Sequence, residues 1–149
     1  LIMSDNAPAV VEYEGETLPL SEKIECMDNH SMFSSVASGS AAWDAMIVVP
    51  SSMGTVGRVA AGVSQSLIER AADVMLKERR RLIFVVRETP YSLIHLRNMT
   101  TLTEAGAIIL PASPSFYSHP QSIEALTTTV VERVLVQVGL KEQHYEFEG

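Results

Sequence analysis

Three short segments of the chain gather hydroxyl, guanidinium and phenol groups, and each one follows an apolar run. The first is Pro50-Ser51-Ser52-Met53-Gly54-Thr55. Small hydroxyl residues and a glycine where a strand turns into a helix offer backbone N–H groups and Oγ atoms to an anion. Ordinary helix capping by Ser52 or Thr55 explains the same residues. The second is Arg87-Glu88-Thr89-Pro90. Its arginine carries a planar fork suited to phosphate, with an internal Arg87–Glu88 ion pair as the alternative use. The third runs Pro111-Ala112-Ser113-Pro114-Ser115-Phe116-Tyr117 and then His119-Pro120-Gln121. Prolines stiffen this loop, and Tyr117 either presents its hydroxyl to an anion or packs on the rim of the fold.

What must position these segments is legible in the runs before them. Ala45-Met46-Ile47-Val48-Val49, Leu82-Ile83-Phe84-Val85-Val86 and Ala107-Ile108-Ile109-Leu110 are continuous apolar stretches. Such runs read as strands buried on both faces, as in a parallel sheet. Between and after them lie helical periodicities. Ser66 to Arg79 aligns Leu67, Ala71, Val74 and Met75; Ser92 to Glu104 aligns Leu93, Leu96, Met99 and Leu102; Gln121 to Val138 aligns Ile123, Leu126, Val130, Val134 and Val138. Gly106 and Gly139 fall where helix C-termini need left-handed residues. The alternation predicts βαβ units in an α/β, three-layer fold with a mostly parallel sheet. Ligands of such folds bind beyond the carboxyl ends of the strands, so all three loops point at one site.

Composition narrows the ligand. The 149 residues are 46% hydrophobic and 19% charged, enough apolar material for one folded domain and no low-complexity chain. The net charge of −7 disfavours nucleic-acid binding. Eight of the eleven basic residues nevertheless fall between Arg58 and Arg97, a locally basic centre suited to a small anion. Part of that centre, Lys77-Glu78-Arg79-Arg80-Arg81, is equally explained as a solvated helix end. No apolar run is long enough to span a membrane, and the lone Cys26 fits a reducing, cytoplasmic setting. His30, His95, His119 and His144 lack metal-ligand spacing, so no metal is expected. Trp43 is read as packing and the His144–Glu148 tail as a surface or interface segment.

Residues 5–40 are polar and weakly periodic, broken by Pro8, Gly15 and Pro19. Leu1-Ile2-Met3-Ser4 resembles the end of a strand. Nucleotide-binding α/β domains open on a strand and a glycine-rich turn, and the first glycine here is Gly15. The expectation is a single domain over 1–149 without its first βα unit.

Several separated stretches carry a family resemblance: Glu69-Arg70-Ala71-Ala72-Asp73-Val74, Leu76-Lys77-Glu78-Arg79-Arg80, Arg87-Glu88-Thr89-Pro90, His95-Leu96, and Phe116-Tyr117 through Pro120-Gln121. Together they resemble the flavin prenyltransferase (UbiX-type) family over about Leu1 to Leu140. The resemblance implies a Rossmann-like, flavodoxin-type fold and transfer of a dimethylallyl group from dimethylallyl phosphate to reduced FMN, in one flavoprotein-type domain. The prenylated FMN would serve a partner decarboxylase of ubiquinone or related biosynthesis. It also implies a homo-oligomer, a dodecamer, with sites built between subunits. Matched position by position, Ser4, Ser38, Gly39, Ser52, Met53, Gly54, Thr55 and Arg87 fall at flavin contacts. Lys77, Arg87, Tyr117 and Arg133 surround the substrate phosphate. Glu14 aligns with a catalytic carboxylate, and Arg70 and Glu88 with charged pocket residues. Ser51 stands where the family usually has cysteine. Two other functions remain open: a related FMN-dependent decarboxylase of the cysteine type, which needs an early catalytic histidine such as His30, and a non-catalytic flavin-binding subunit.

Overall fold

Leu82–Val86 forms the centre of a three-stranded parallel sheet. The computed structural model describes residues 1–18 and 20–140; Pro19 and the His144–Glu148 tail lie outside them. In chain order the elements are α1 (Ala7–Tyr13), a 3₁₀ turn (Ser35–Ala37), β1 (Ala45–Ser51), α2 (Met53–Ala60), α3 (Leu67–Lys77), β2 (Arg81–Val86), α4 (Leu93–Glu104), β3 (Ile108–Pro111) and α5 (Ile123–Gln137). The strand order is β1-β2-β3, with both pairs parallel. The helices of this α/β fold pack in two layers around that sheet.

Successive side chains of β2 point to opposite faces. On one face Leu82, Phe84 and Val86 pack with Met53, Val56 and Val59 of α2, Ala72 and Met75 of α3, and Leu102 of α4. On the other, Ile83 and Val85 meet Leu110 of β3 and Val134 of α5. Burying a large aliphatic or aromatic side chain contributes about 1.5–3 kcal/mol, so β2 anchors both layers. The helices start on local chemistry. Ser66 and Glu69 form a reciprocal capping box at α3, and Ser92 and His95 form one at α4. Ser52 and Ser122 cap α2 and α5. Gly106 (φ 102°) and Gly139 (φ 83°) end α4 and α5 in the left-handed region, as their spacing predicts.

Three expectations are corrected. β1 is not buried on both faces: Met46 and Val48 pack against the α2–α3 layer, whereas Ile47 and Val49 on the opposite face are exposed. In α4 only Leu102 is buried, and Leu93 and Leu96 of the first turns are exposed. Ile123, assigned to the inner face of α5, is 81% exposed. The polar front of the chain also holds an element that sequence reading left irregular, the seven-residue helix α1 with Pro8 in its first turn.

The segment between α1 and β1 is held by α3. Ile2 and Met27 form an isolated parallel bridge, and the buried Asn29 takes over from there. Its carbonyl accepts from Leu67 N at 2.7 Å and its Oδ1 from Ile68 N at 3.3 Å, satisfying donors at the start of α3.

Candidate functional site

The register of the sheet sets the site. Ser51 pairs with Val86, and Val86 with Pro111, so the three strands end in one row. Ser52, Arg87 and Ala112 therefore leave the sheet side by side, on strands about 4.8 Å apart. Ala112 N donates to Val86 O at 2.8 Å, which fixes the third loop to the row.

Each of the three loops offers something to an anion. At the first, Ser52 Oγ accepts from Thr55 N at 3.2 Å and lies 3.1 Å from Thr55 Oγ1. The capping use of Ser52 is thus realised, and it orients the first turn of α2 with its remaining N–H groups toward the carboxyl edge of the sheet. Met53 buries its side chain in the core, which leaves only its backbone for a ligand. At the second loop, Arg87 is exposed and makes no ion pair among the described residues. Glu88 Oε1 instead accepts from Thr89 N at 3.1 Å. A free guanidinium one strand away from a helix N-terminus is an arrangement that holds phosphate. At the third, Tyr117 is 78% exposed, so it is not packed on the rim.

An ion pair between a half-exposed arginine and a buried glutamate underlies the first loop. Arg58 of α2 donates to Glu69 Oε1, and Glu69 Oε2 accepts from Gln65 N (2.8 Å) and Ser66 N (3.2 Å). Arg58 also reaches Thr55 Oγ1 at 3.5 Å, and a Cβ on Gly54 would lie 3.1 Å from its Nη1. Burial pushes the Glu69 carboxyl up, but hydrogen bonds from Arg58 and two backbone N–H groups outweigh it and hold the group below its ordinary range.

The other matched residues are distributed elsewhere. Lys77 closes α3 and precedes β2, so it stands at the amino edge of the sheet, across the length of β2 (about 20 Å) from Arg87. There it pairs with Glu78, whose carboxyl the Lys77 hydrogen bond holds below its usual range. Gly39 lies against this pair: a Cβ on it would sit 2.7 Å from Lys77 Nζ and 2.9 Å from Glu78 Cδ. Ser38 Oγ and Ser40 Oγ bond each other at 2.8 Å. Arg133 lies on the outer flank of β3, in an open groove of about 420 Å³ with Ile108, Leu110, Pro111 and Gln137. It makes no ion pair with Glu132 among the described residues. Ser4 is at the far end of α3 from Lys77, where its neighbour Asp5 accepts from Asn29 Nδ2 (3.2 Å) and pairs with His30 (3.1 Å). Glu14 caps the exposed C-terminus of α1, and its carboxylate makes no hydrogen bond among the described residues. Arg70 is engaged locally, with Asp73 (2.9 Å) and Ala37 O (3.2 Å).

One chain thus brings Ser52, Met53, Gly54, Thr55, Arg87 and Glu88 to the carboxyl edge, with Tyr117 farther along the loop that follows β3. It does not bring Lys77, Gly39 or Arg133 to them. Sequence reasoning missed Arg58 and Glu69, although the Ser66-x-x-Glu69 capping box was a visible signal. It also missed what Arg80 does, for which no local signal exists, because its partners are 39 and 41 residues away.

Comparison with known proteins gives this geometry a context. A family model described as Flavoprotein matches residues 1–135. The flavin prenyltransferase UbiX of Thermoplasma acidophilum is 46% identical over 145 residues, covering 94% of this chain and 79% of that protein. The flavin prenyltransferase UbiX of Pseudomonas aeruginosa is 55% identical over 106 residues, 71% of this chain and 51% of its own length. The match to the Pseudomonas protein therefore spans about half of that relative. Among solved structures, AnUbiX (PadA1) in complex with FMN and dimethylallyl pyrophosphate superposes with a TM-score of 0.91 at 44% identity, over 99% of this chain and 82% of that one. A dodecameric FMN-dependent UbiX-like decarboxylase from Escherichia coli O157:H7 superposes at 0.89 with 38% identity, over 99% and 82%.

Proposed function

The chain belongs to the Flavoprotein family and, within it, to the UbiX-type flavin prenyltransferases, and from that membership we propose that it transfers a dimethylallyl group from dimethylallyl phosphate to reduced FMN. The observation that carries the reading is the row at the carboxyl edge: Arg87, without an ion pair among the described residues, beside the capped N-terminus of α2. Its donor set suits a phosphate-bearing flavin and a phosphate leaving group, and supplies positive charge where negative charge develops without a metal. The flavin supplies the nucleophilic N5 and C6 positions.

The residues divide the work. Ser52, Thr55 and the backbone of Met53 and Gly54 hold the flavin from the α2 side, with Ser4 along it and with Ser38 and Gly39, which lie beside Lys77, supplied by another copy. Arg87, Lys77, Tyr117 and Arg133 receive the phosphate as the allylic C–O bond breaks. Glu14 takes the proton released on ring closure, and Arg70 and Glu88 shape the charge of the pocket. Water must be excluded while the allyl group is cationic, which an assembled and apolar pocket achieves.

Because Lys77 and Arg87 lie at opposite edges of one sheet, a clamp using both draws them from different copies. Exposed apolar side chains support such an assembly: Leu93, Ile94 (68%), Phe116 (67%) and Ile123 are solvent-facing in the single chain. The proposal includes a homo-oligomer, a dodecamer, working in the cytoplasm and delivering prenylated FMN to a decarboxylase. Among the described residues no helix is long and apolar enough to cross a membrane.

A direct test is phosphate release from dimethylallyl phosphate by the full-length protein under anaerobic conditions. Release that requires reduced FMN is expected. Flavin bound with no phosphate released overturns the transferase reading and supports a flavin-binding subunit.

A further inference from the structure

The loop that bears Ser38, Gly39 and Ser40 is held by side chains of α3 and of the turn that follows it. Arg70 Nε donates to Ala37 O at 3.2 Å, Arg80 Nη2 to Gly39 O at 2.8 Å, and Arg80 Nη1 to Ala41 O. Three alternate carbonyls of an irregular segment are therefore bound to two guanidinium groups. The loop's own backbone bonds are few and local, from Ser38 N to Ser35 O (3.2 Å) and from Ala41 N to Ser38 O (3.3 Å). Arg80 is presented by a tight reversal in which Arg79 takes a left-handed conformation (φ 57°) and Arg80 N returns to Met75 O at 2.8 Å. The same reversal sets Lys77 and Glu78 against Gly39, where glycine leaves room for their side-chain ends.

We infer that Arg80 is a positioning residue that fixes the Ser38–Ser40 loop against Lys77, so that the loop and the lysine form one pre-ordered surface for substrate. A guanidinium bridging two carbonyls two residues apart sets both the height and the tilt of the peptide between them, which a single-point contact cannot do. With that bridge intact, Lys77 Nζ faces a loop already ordered rather than one that must be ordered on binding. The consequence for turnover rests on the prenyl-transfer reading above; the consequence for the loop does not.

The test compares Arg80→Met, which keeps much of the side-chain length and removes both donors, with Arg80→Lys, which restores one. Amide hydrogen exchange is followed in peptides covering 35–41 and 81–86. In Arg80→Met the loop should exchange about 10- to 100-fold faster while β2 is unchanged, with Arg80→Lys between. KM for dimethylallyl phosphate and Kd for FMN should each rise about tenfold in Arg80→Met, because the loop carries Ser38 and Gly39 as well as facing Lys77, and both should recover partly in Arg80→Lys. Loop exchange equal to wild type in both variants overturns the inference, and so does a loosened loop with unchanged KM. Should Arg80→Met fail to fold, Arg80→Lys alone decides by the same loop exchange. Should the wild-type protein itself lack turnover, the prenyl-transfer reading fails while the exchange experiment still decides what Arg80 does.

Discussion

Among the described residues Glu14 and Arg133 have no side-chain partner to explain them. Glu14 is an exposed carboxylate at the end of a helix with no buried residues, so a solvent-facing position costs folding nothing and leaves it available as a base. Glu14→Gln should retain FMN and thermal stability and slow maturation of the prenylated product, read as accumulation of a singly bonded flavin adduct; an unchanged rate removes Glu14 from the mechanism. Arg133 interrupts the apolar and threonine-rich face of α5 and opens into a groove without an ion pair. Arg133→Ala should weaken use of dimethylallyl phosphate by about 10- to 150-fold, the loss of one charge-assisted bond, with FMN binding intact. If the oligomer dissolves and the per-site rate survives, Arg133 belongs to an interface. At this scale the sequence was informative where a residue's chemistry is local, as at the start of α2, where it offered Ser52 or Thr55 as the cap and the structure uses Ser52. It was silent on Arg80, whose two carbonyl partners are fixed only once the chain has folded back along α3.

Elements carry the second kind of evidence, and the α2–α3 junction is the best defined. Its Glu69 is 3% exposed and bonded by one guanidinium and two backbone N–H groups. The folded carboxyl lies below its ordinary value of 4.5. A depressed carboxyl contributes stability that is complete above the unfolded value and is lost as pH falls through the folded one. Urea unfolding should therefore show wild-type stability declining below about pH 4.5, a component that Glu69→Gln lacks. At neutral pH the same variant should lose about 1–2 kcal/mol, the lower part of the range for a charged hydrogen bond because Arg58 is half exposed. Loss of stability on acidification that is identical in both proteins would assign it to other carboxylates. The strands and long helices were legible from apolar runs and from period 3.6, since burial between two layers leaves a strong pattern. The exposed inner-face residues Leu93, Leu96 and Ile123 were not, because sequence periodicity records what an apolar stripe packs against in the working protein and does not say whether that partner lies in the same chain.

At the scale of the whole molecule, the decisive fact is that the sheet separates its basic residues. Register places Arg87 at the carboxyl edge, connectivity places Lys77 at the amino edge, and about 20 Å of β2 lies between them. The apolar run before Arg87 already placed it at the carboxyl edge in the sequence, whereas that Lys77 lies at the opposite edge follows from α3 leading directly into β2. A phosphate clamp that needs both must be built from more than one copy, and a closed assembly with shared sites is a common solution for homo-oligomers. The measurement that tests this most directly is complementation between Lys77→Ala and Arg87→Ala. Each variant alone should form almost no prenylated FMN from reduced FMN and dimethylallyl phosphate. Mixed in equal amounts, dissociated and reassembled, they should regain about one quarter of wild-type activity, because each site then draws its lysine and its arginine independently. Activity in the reassembled mixture no greater than that of the separate variants would contradict a prenyl-transfer site shared between copies.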